Sequence, residues 1–208
     1  MIPAKTPALV SRYFKDYIWD KPNNKNEIYL SFDDGPIPEV TPWILEVLKQ
    51  YQIQATFFCV GENIEKHPEI FKQVLSEGHT VGNHTYNHLK GWKTSTETYL
   101  GNIQNTQNVI NTFGVNTSLF RPPYGKMTSA QSKAILNLGY EVIMWSVLSK
   151  DYSSKLSSQK VYDNIIHNTK TGSIIVCHDN IKAYKNLQQV LPKAIKTLLE
   201  KGFIFGRL

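Results

Sequence analysis

The sequence predicts an α/β fold: about seven parallel strands with helices between them. Two observations carry that prediction. Short apolar runs alternate with longer amphipathic stretches once the first ~25 residues are passed. Several amphipathic stretches stop at a glycine, as at Gly78, Gly139 and Gly202, the residue type that most readily ends a helix. Strict alternation of strand and helix argues for parallel strands, because parallel neighbours need a crossover connection. Seven strands are many for a small open sheet and just short of an eightfold barrel.

Taken in order, residues 27–32 (EIYLSF) form the first strand. Residues 41–51 follow as a helix, with Thr41 as N-cap and Pro42 at the first helical position. Residues 55–60 (ATFFCV) are the second strand, 68–77 a helix and 80–82 a short third strand. Residues 94–113 carry Tyr99, Ile103, Val109, Ile110 and Phe113 at mostly helical spacing behind a Thr94 or Ser95 cap. Then come a strand at 118–121, a helix at 128–138, a buried strand at 140–145 and a helix at 157–168. A strand at 174–177, a helix at 185–201 and a strand at 203–205 complete the chain. Residues 1–25, ending in the loose stretch Asp20-Lys21-Pro22-Asn23-Asn24, read as an N-terminal appendage, and 26–208 as one domain.

The composition excludes several classes. With 208 residues, 41% hydrophobic and 19% charged, the chain is neither disordered nor fibrous. Lys and Arg exceed Asp and Glu by 23 to 17, a net charge of +6, but the lysines are scattered. Without a basic stripe or a known module, no nucleic-acid partner is expected. Cys59 and Cys177 lie inside apolar runs and read as buried free thiols. No run approaches the ~20 apolar residues of a membrane span, and the N-terminus has no secretory apolar region. A soluble, cytoplasmic protein, monomeric by default, is the expectation.

The unusual polar residues fall just past the strand ends: Asp33 and Asp34, then Glu62, His84 and His88, Arg121 and Tyr124, Asp151, and His178 with Asp179. In parallel β/α folds these ends share one face, where active sites are built. Adjacent carboxylates at Asp33-Asp34 offer two roles, one as metal ligand and one as base. His84 and His88, four apart, can reach one ion from a single helical or looped turn. Two imidazoles and a carboxylate make a site with open positions, which suits Zn²⁺; non-haem iron oxygenases use the same ligand types. His178 emerges from a buried run and suits proton transfer near neutral pH. The stiff stretch Arg121-Pro122-Pro123-Tyr124-Gly125 can aim a backbone N–H at a developing oxyanion. His67, His79 and His167 read as structural.

Five segments resemble, in order, the motifs of the polysaccharide deacetylases (carbohydrate esterase family four, the NodB-homology domain). They are Ser31-Phe32-Asp33-Asp34-Gly35-Pro36, His84-Thr85-Tyr86-Asn87-His88, Arg121-Pro122-Pro123-Tyr124-Gly125, residues 145–152, and Val176-Cys177-His178. The resemblance spans about residues 26–206. It implies a distorted (β/α) barrel and hydrolysis of N-acetyl groups on an amino-sugar carbohydrate, giving acetate and a free amine. It implies Asp34, His84 and His88 as ligands of one divalent metal, most often Zn²⁺, with Co²⁺ or another divalent ion as a substitute. It implies Asp33 as base, Arg121 as its orienting partner and the Tyr124 N–H as oxyanion donor. It also implies His178 as the acid that protonates the amine, tuned by Asp151. Three positions depart from the pattern: Ser31 for the more usual Thr, a minor change, and Tyr152 for the usual Trp with Val176 for the usual Leu, which widen the expected acyl pocket or make it more polar. Other readings of the same residues are an O-acetyl esterase, a non-sugar amide hydrolase and a non-catalytic glycan-binding relative. Trp92, Tyr86, Tyr124 and Tyr152 are candidates for stacking on sugar rings.

Overall fold

A computed structural model describes residues 3–208. Its strands are β1 (Glu27–Asp33), β2 (Thr56–Cys59), β3 (Thr80–Asn83), β4 (Leu119–Phe120), β5 (Glu141–Val142), β6 (Val147–Leu148), β7 (Ile174–His178) and β8 (Ile204–Gly206). All their pairings are parallel, in the order β5-β4-β3-β2-β1-β7-β6, and β8 pairs with the start of β1. The seven ordered strands curl into a half-barrel, as the sequence led us to expect.

The helices are α1 (Ala8–Tyr13), α2 (Val40–Gln50), α3 (Gly61–Lys66), α4 (Pro68–Ser76), α5 (Thr96–Asn111), α6 (Ser129–Asn137), α7 (Ser158–Ile166) and α8 (Ile181–Glu200). β1 is buried from Ile28 to Asp33, as a central parallel strand must be when both its faces are covered. The main core joins Leu30, Phe32, Phe57 and Ile175 of the sheet to Ile44, Leu48, Leu187 and Leu191 of the helices. Gly78, Gly139 and Gly202 take left-handed φ values of 80°, 84° and 80° at the ends of α4, α6 and α8.

Five elements differ from the sequence reading. α1, within the stretch read as an appendage, was not expected and buries no residue. α2 begins at Val40, one residue before the expected cap, because the Thr41 hydroxyl is engaged elsewhere: it donates to Asp179 Oδ2 (2.7 Å) and accepts from the Ile37 N–H (2.8 Å). α3 was not expected; in six residues only Ile64 gives it a buried apolar side chain, too little periodicity to detect. α8 starts at Ile181 rather than 185, with Asn180 Oδ1 accepting from the Ala183 N–H (2.9 Å). The apolar run at 140–145 is a strand only at Glu141–Val142, and a separate β6 follows. Between them, the carbonyls of Ile143 and Met144 accept from the Arg121 guanidinium instead of a neighbouring strand.

Residues 3–25 lie along this interrupted wall. Ile18 bridges Ile143 in parallel, Lys5 bridges Val147 and Asp20 bridges Ser173 antiparallel. The Thr6 N–H donates to the Ser146 carbonyl (3.0 Å), and the Leu148 N–H to the Ala4 carbonyl (2.7 Å). Among the described residues, no helix is long and apolar enough to cross a membrane. Cys59 and Cys177 are free and buried.

Candidate active site

The C-terminal strand ends open into a pocket of about 520 Å³ lined by Asp33, Asp34, His84, His88, Tyr124 and His178, with Ile37, Trp145, Leu148, Tyr152, Asn180, Ile181 and Lys182 completing the wall. Arg121 and Asp151 stand behind it, both fully buried. The structure thus gathers at one place the eight residues to which the resemblance gives a metal-binding or catalytic role.

Asp34 Oδ1 lies 3.5 Å from His84 Nε2 and 3.2 Å from His88 Nε2. One ligand atom from each residue falls within 4.8 Å of the others. The spacing of the two histidines is realised by a loop rather than a helix, in which Thr85 and His88 take left-handed φ values of 65° and 57°. Asn83 Oδ1 holds the Thr85 N–H (2.9 Å), and the Thr85 and Tyr86 carbonyls accept the first N–H groups of α3. His84 Nδ1 lies 2.7 Å from the Arg121 carbonyl, which can only accept. The Nδ1–H therefore donates to that carbonyl, and Nε2 is the ring atom turned toward Asp34, the orientation found behind metal-binding histidines.

Asp34 Oδ2 accepts from Asn180 Nδ2 (2.6 Å), while Oδ1 is buried without a hydrogen-bond donor. Burial resists ionisation of Asp34, but the imidazoles of His84 and His88, and the charge of His178 beyond them, hold its carboxyl well below the usual range. An anionic oxygen lacking a donor, facing two imidazole nitrogens, fits a divalent cation.

Asp33 is held differently. Its Oδ1 accepts from Arg121 Nη1 (2.6 Å). The same guanidinium donates to Ser31 Oγ (2.9 Å), Ile143 O (3.1 Å) and Met144 O (3.0 Å), and its Cζ lies 4.0 Å from the Phe58 ring centroid. Burial pulls the Arg121 pKa below its ordinary value, and the Asp33 charge works against that pull. Arg121 is thereby fixed by five contacts, and Asp33 with it.

On the far side, His178 Nδ1 lies 2.8 Å from Asp151 Oδ1, and Asp151 Oδ2 accepts the His178 backbone N–H (2.7 Å). Burial disfavours the imidazolium, but the Asp151 carboxylate, with Asp34 and Asp33 beyond, prevails and pushes the His178 pKa up to about 9. Tyr124 sits in a tight turn at φ 60°, ψ 8°, and its ring packs on His88 with centroids 4.6 Å apart.

One contributor, Asn180, was missed from the sequence, and three residues named there take other places than expected or a role not read. Asn180 both caps α8 and holds Asp34, and only its place before a helix could have hinted at it. Asp179 accepts from the Gly35 N–H (2.8 Å) and from Thr41, bracing the turn after β1. A Cβ at Gly35 would overlap that carboxylate, which explains the glycine. Burial raises the Asp179 pKa to about 8 against those two hydrogen bonds. Val176, expected near the acyl pocket, is fully buried one pleat beneath His178, and the wall there is Leu148, its register partner on β6. Glu62 lies in α3 and pairs with Lys66 (2.7 Å) instead of facing the pocket.

Residues 20–143 match the family model described as polysaccharide deacetylase. The chain belongs to the polysaccharide deacetylase family. It is 37% identical over 194 residues to a peptidoglycan-N-acetylglucosamine deacetylase of Bacillus cereus, covering 92% of this chain and 70% of that one. Among solved structures it superposes with TM-score 0.90 and 36% identity on a peptidoglycan N-acetylglucosamine deacetylase in complex with 4-naphthalen-1-yl-N-oxidanyl-benzamide, over 98% of this chain and 95% of that one. It also shares the fold, at TM-score 0.83 and 24% identity, of a family-four pseudoenzyme from Bacillus anthracis, over 92% of this chain and 66% of that one. Membership of the polysaccharide deacetylases thus gives the fold and the reaction class, and turnover must be argued from the residues in place.

Proposed function

We propose that the chain is a divalent-metal-dependent hydrolase that removes N-acetyl groups from amino-sugar units of a glycan, releasing acetate and a free amine. One observation supports this most. The Asp34–His84–His88 cluster shares a pocket with two separate, braced acid–base pairs, Asp33–Arg121 and Asp151–His178. A glycan-binding relative needs none of these three sets.

Asp34, His84 and His88 would hold the cation, with Zn²⁺ the best fit to two nitrogens and one carboxylate. When bound, a divalent cation supplies Lewis acidity, polarising the acyl carbonyl and making water a better nucleophile. The remaining work belongs to the protein. The Asp33 carboxylate takes a proton from the attacking water, held in place by Arg121. The Tyr124 backbone N–H stabilises the oxyanion that develops on the carbonyl oxygen. The His178 imidazolium gives its proton to the departing nitrogen, so the C–N bond breaks to an amine rather than an amide anion. Asp151 keeps that imidazole charged and oriented.

The direct test is acetate release from N-acetylglucosamine oligomers before and after treatment with a chelator, then after adding Zn²⁺ or Co²⁺. Loss on chelation and recovery on re-addition is expected. Full activity in metal-free protein would overturn the reading.

A further inference from the structure

The aromatic side chains at the mouth of the pocket do not present bare faces. Tyr124, at the pocket wall, packs edge to face with Trp92, with centroids 5.4 Å apart. The Lys90 ammonium stands 5.6 Å from the Tyr124 ring centroid, and the Lys126 ammonium 5.5 Å from that of Trp92. Both distances lie within cation–π range. Each ring is thus positioned to hold an ammonium on its face, where a stacked sugar would otherwise sit. A third lysine, Lys182, lines the pocket from the first turn of α8.

These ammoniums have no internal counter-charge. The lysine ion pairs among the described residues are Lys66–Glu62, Lys72–Glu69, Lys170–Asp20 and Lys196–Glu200, and none involves the three at the mouth. The carboxylates Asp33 and Asp151 do not serve them, because Arg121 and His178 lie 2.6 Å and 2.8 Å away from those groups. The mouth therefore carries positive charge held near the pocket and open to a ligand. A neutral glycan can only accept hydrogen bonds from such groups, whereas a carboxylate on a sugar next to the reacting one adds a charge-assisted contact.

Resting on the deacetylase reading above, we infer that Lys90 and Lys126, held on Tyr124 and Trp92, select amino-sugar glycans that carry carboxylates on neighbouring units. These are specificity residues. They contact a part of the substrate away from the scissile bond, so they act on KM and leave kcat alone.

The experiment compares two tetrasaccharides of equal length: alternating N-acetylglucosamine and N-acetylmuramic acid, which carries a lactyl carboxylate, and neutral tetra-N-acetylchitotetraose. In the doubly substituted Lys90→Gln, Lys126→Gln protein, KM for the acidic oligomer should rise about three- to tenfold, as expected for loss of exposed charge contacts. KM for the neutral oligomer should stay within about twofold, and kcat should be unchanged on both. Raising salt toward ~0.5 M should weaken only the acidic oligomer in the unsubstituted protein. Equal change on the two oligomers, or none on the acidic one, would overturn the inference. If neither oligomer releases acetate, the deacetylase reading fails separately, and calorimetric binding of the same two oligomers decides. Preference for the acidic one that disappears in the variant supports charge selection, and equal binding overturns it.

Discussion

The two halves of the half-barrel are built by different means. β1, β2, β3 and β7 are four to seven residues long, register over several pairs and enclose the larger core. β4, β5 and β6 have two residues each, and the small clusters around Phe120 and Ile143 lie behind them. The continuous half delivers Asp33, Asp34, His84 and His178. The interrupted half is completed by pieces that are not strands: the Arg121 guanidinium and the N-terminal segment. The Arg121 guanidinium is aimed at Asp33 from inside the wall, and an unbroken strand through residues 143–146 would engage the Ile143 and Met144 carbonyls that hold it. Ladder hydrogen bonds are thus exchanged for a buried arginine with a partner on each nitrogen, one of the few ways an ion can sit inside a protein.

The sharpest way to break the interrupted half is to remove its arginine. Arg121→Met should destabilise the fold by about 3–5 kcal/mol, because Asp33 and two carbonyls lose their buried partner. Urea denaturation measures this, and activity should vanish with it. Arg121→Lys keeps the charge but loses the fork, and should recover only part of either property.

A smaller effect, in the other half, sharpens the contrast. The His178 pKa lies near 9 because of Asp151. A general acid works protonated, so kcat/KM should fall as pH rises through that value. A dication in the same pocket repels the imidazolium, so the limb of the loaded enzyme falls at or below about 9. Asp151→Asn removes the charge, so the limb should move to lower pH while the acid limb moves less. A tenfold loss of proton affinity at His178 corresponds to about 1.4 kcal/mol of lost attraction between the two side chains. An unmoved alkaline limb would leave Asp151 as a brace only.

The smallest effect concerns the N-terminal segment. Thr6 Oγ1 donates to the carbonyl of Trp145, a residue of the pocket wall (2.7 Å). Thr6→Val should cost about 0.5–1.5 kcal/mol, the worth of one hydrogen bond. A thermal melt reads this, and no change would show that the segment rests on the wall without supporting it.

The same contrast explains what was legible in the sequence. The continuous half shows itself as apolar runs, and its polar residues stand where those runs stop, so Asp33, Asp34, His84 and His178 could be placed from the chain alone. The interrupted half hides. Residues 140–145 read as one strand because their side chains are apolar, and nothing local reveals that Arg121, some twenty residues earlier, takes the Ile143 and Met144 carbonyls. Asn180 was overlooked, and Asp179 was placed at its strand end without a role, for a related reason: their partners, Asp34, Gly35 and Thr41, lie more than 130 residues away in sequence. Thr41 looked like a cap because Thr-Pro is a common helix start, but its hydroxyl is taken by one of those distant carboxylates.

The proposed function assigns different work to two adjacent carboxylates at the centre of the site, Asp34 to hold the cation and Asp33 to move the proton. Metal content and kcat/KM, measured together on Asp33→Asn and Asp34→Asn, test this most directly. Asp33→Asn should keep about one divalent ion per chain while losing about 10²–10⁴-fold in turnover, the range for a lost acid–base group. Asp34→Asn should lose the ion and the activity together. Loss of the ion from Asp33→Asn as readily as from Asp34→Asn, or near-normal turnover in it, would contradict this division of labour.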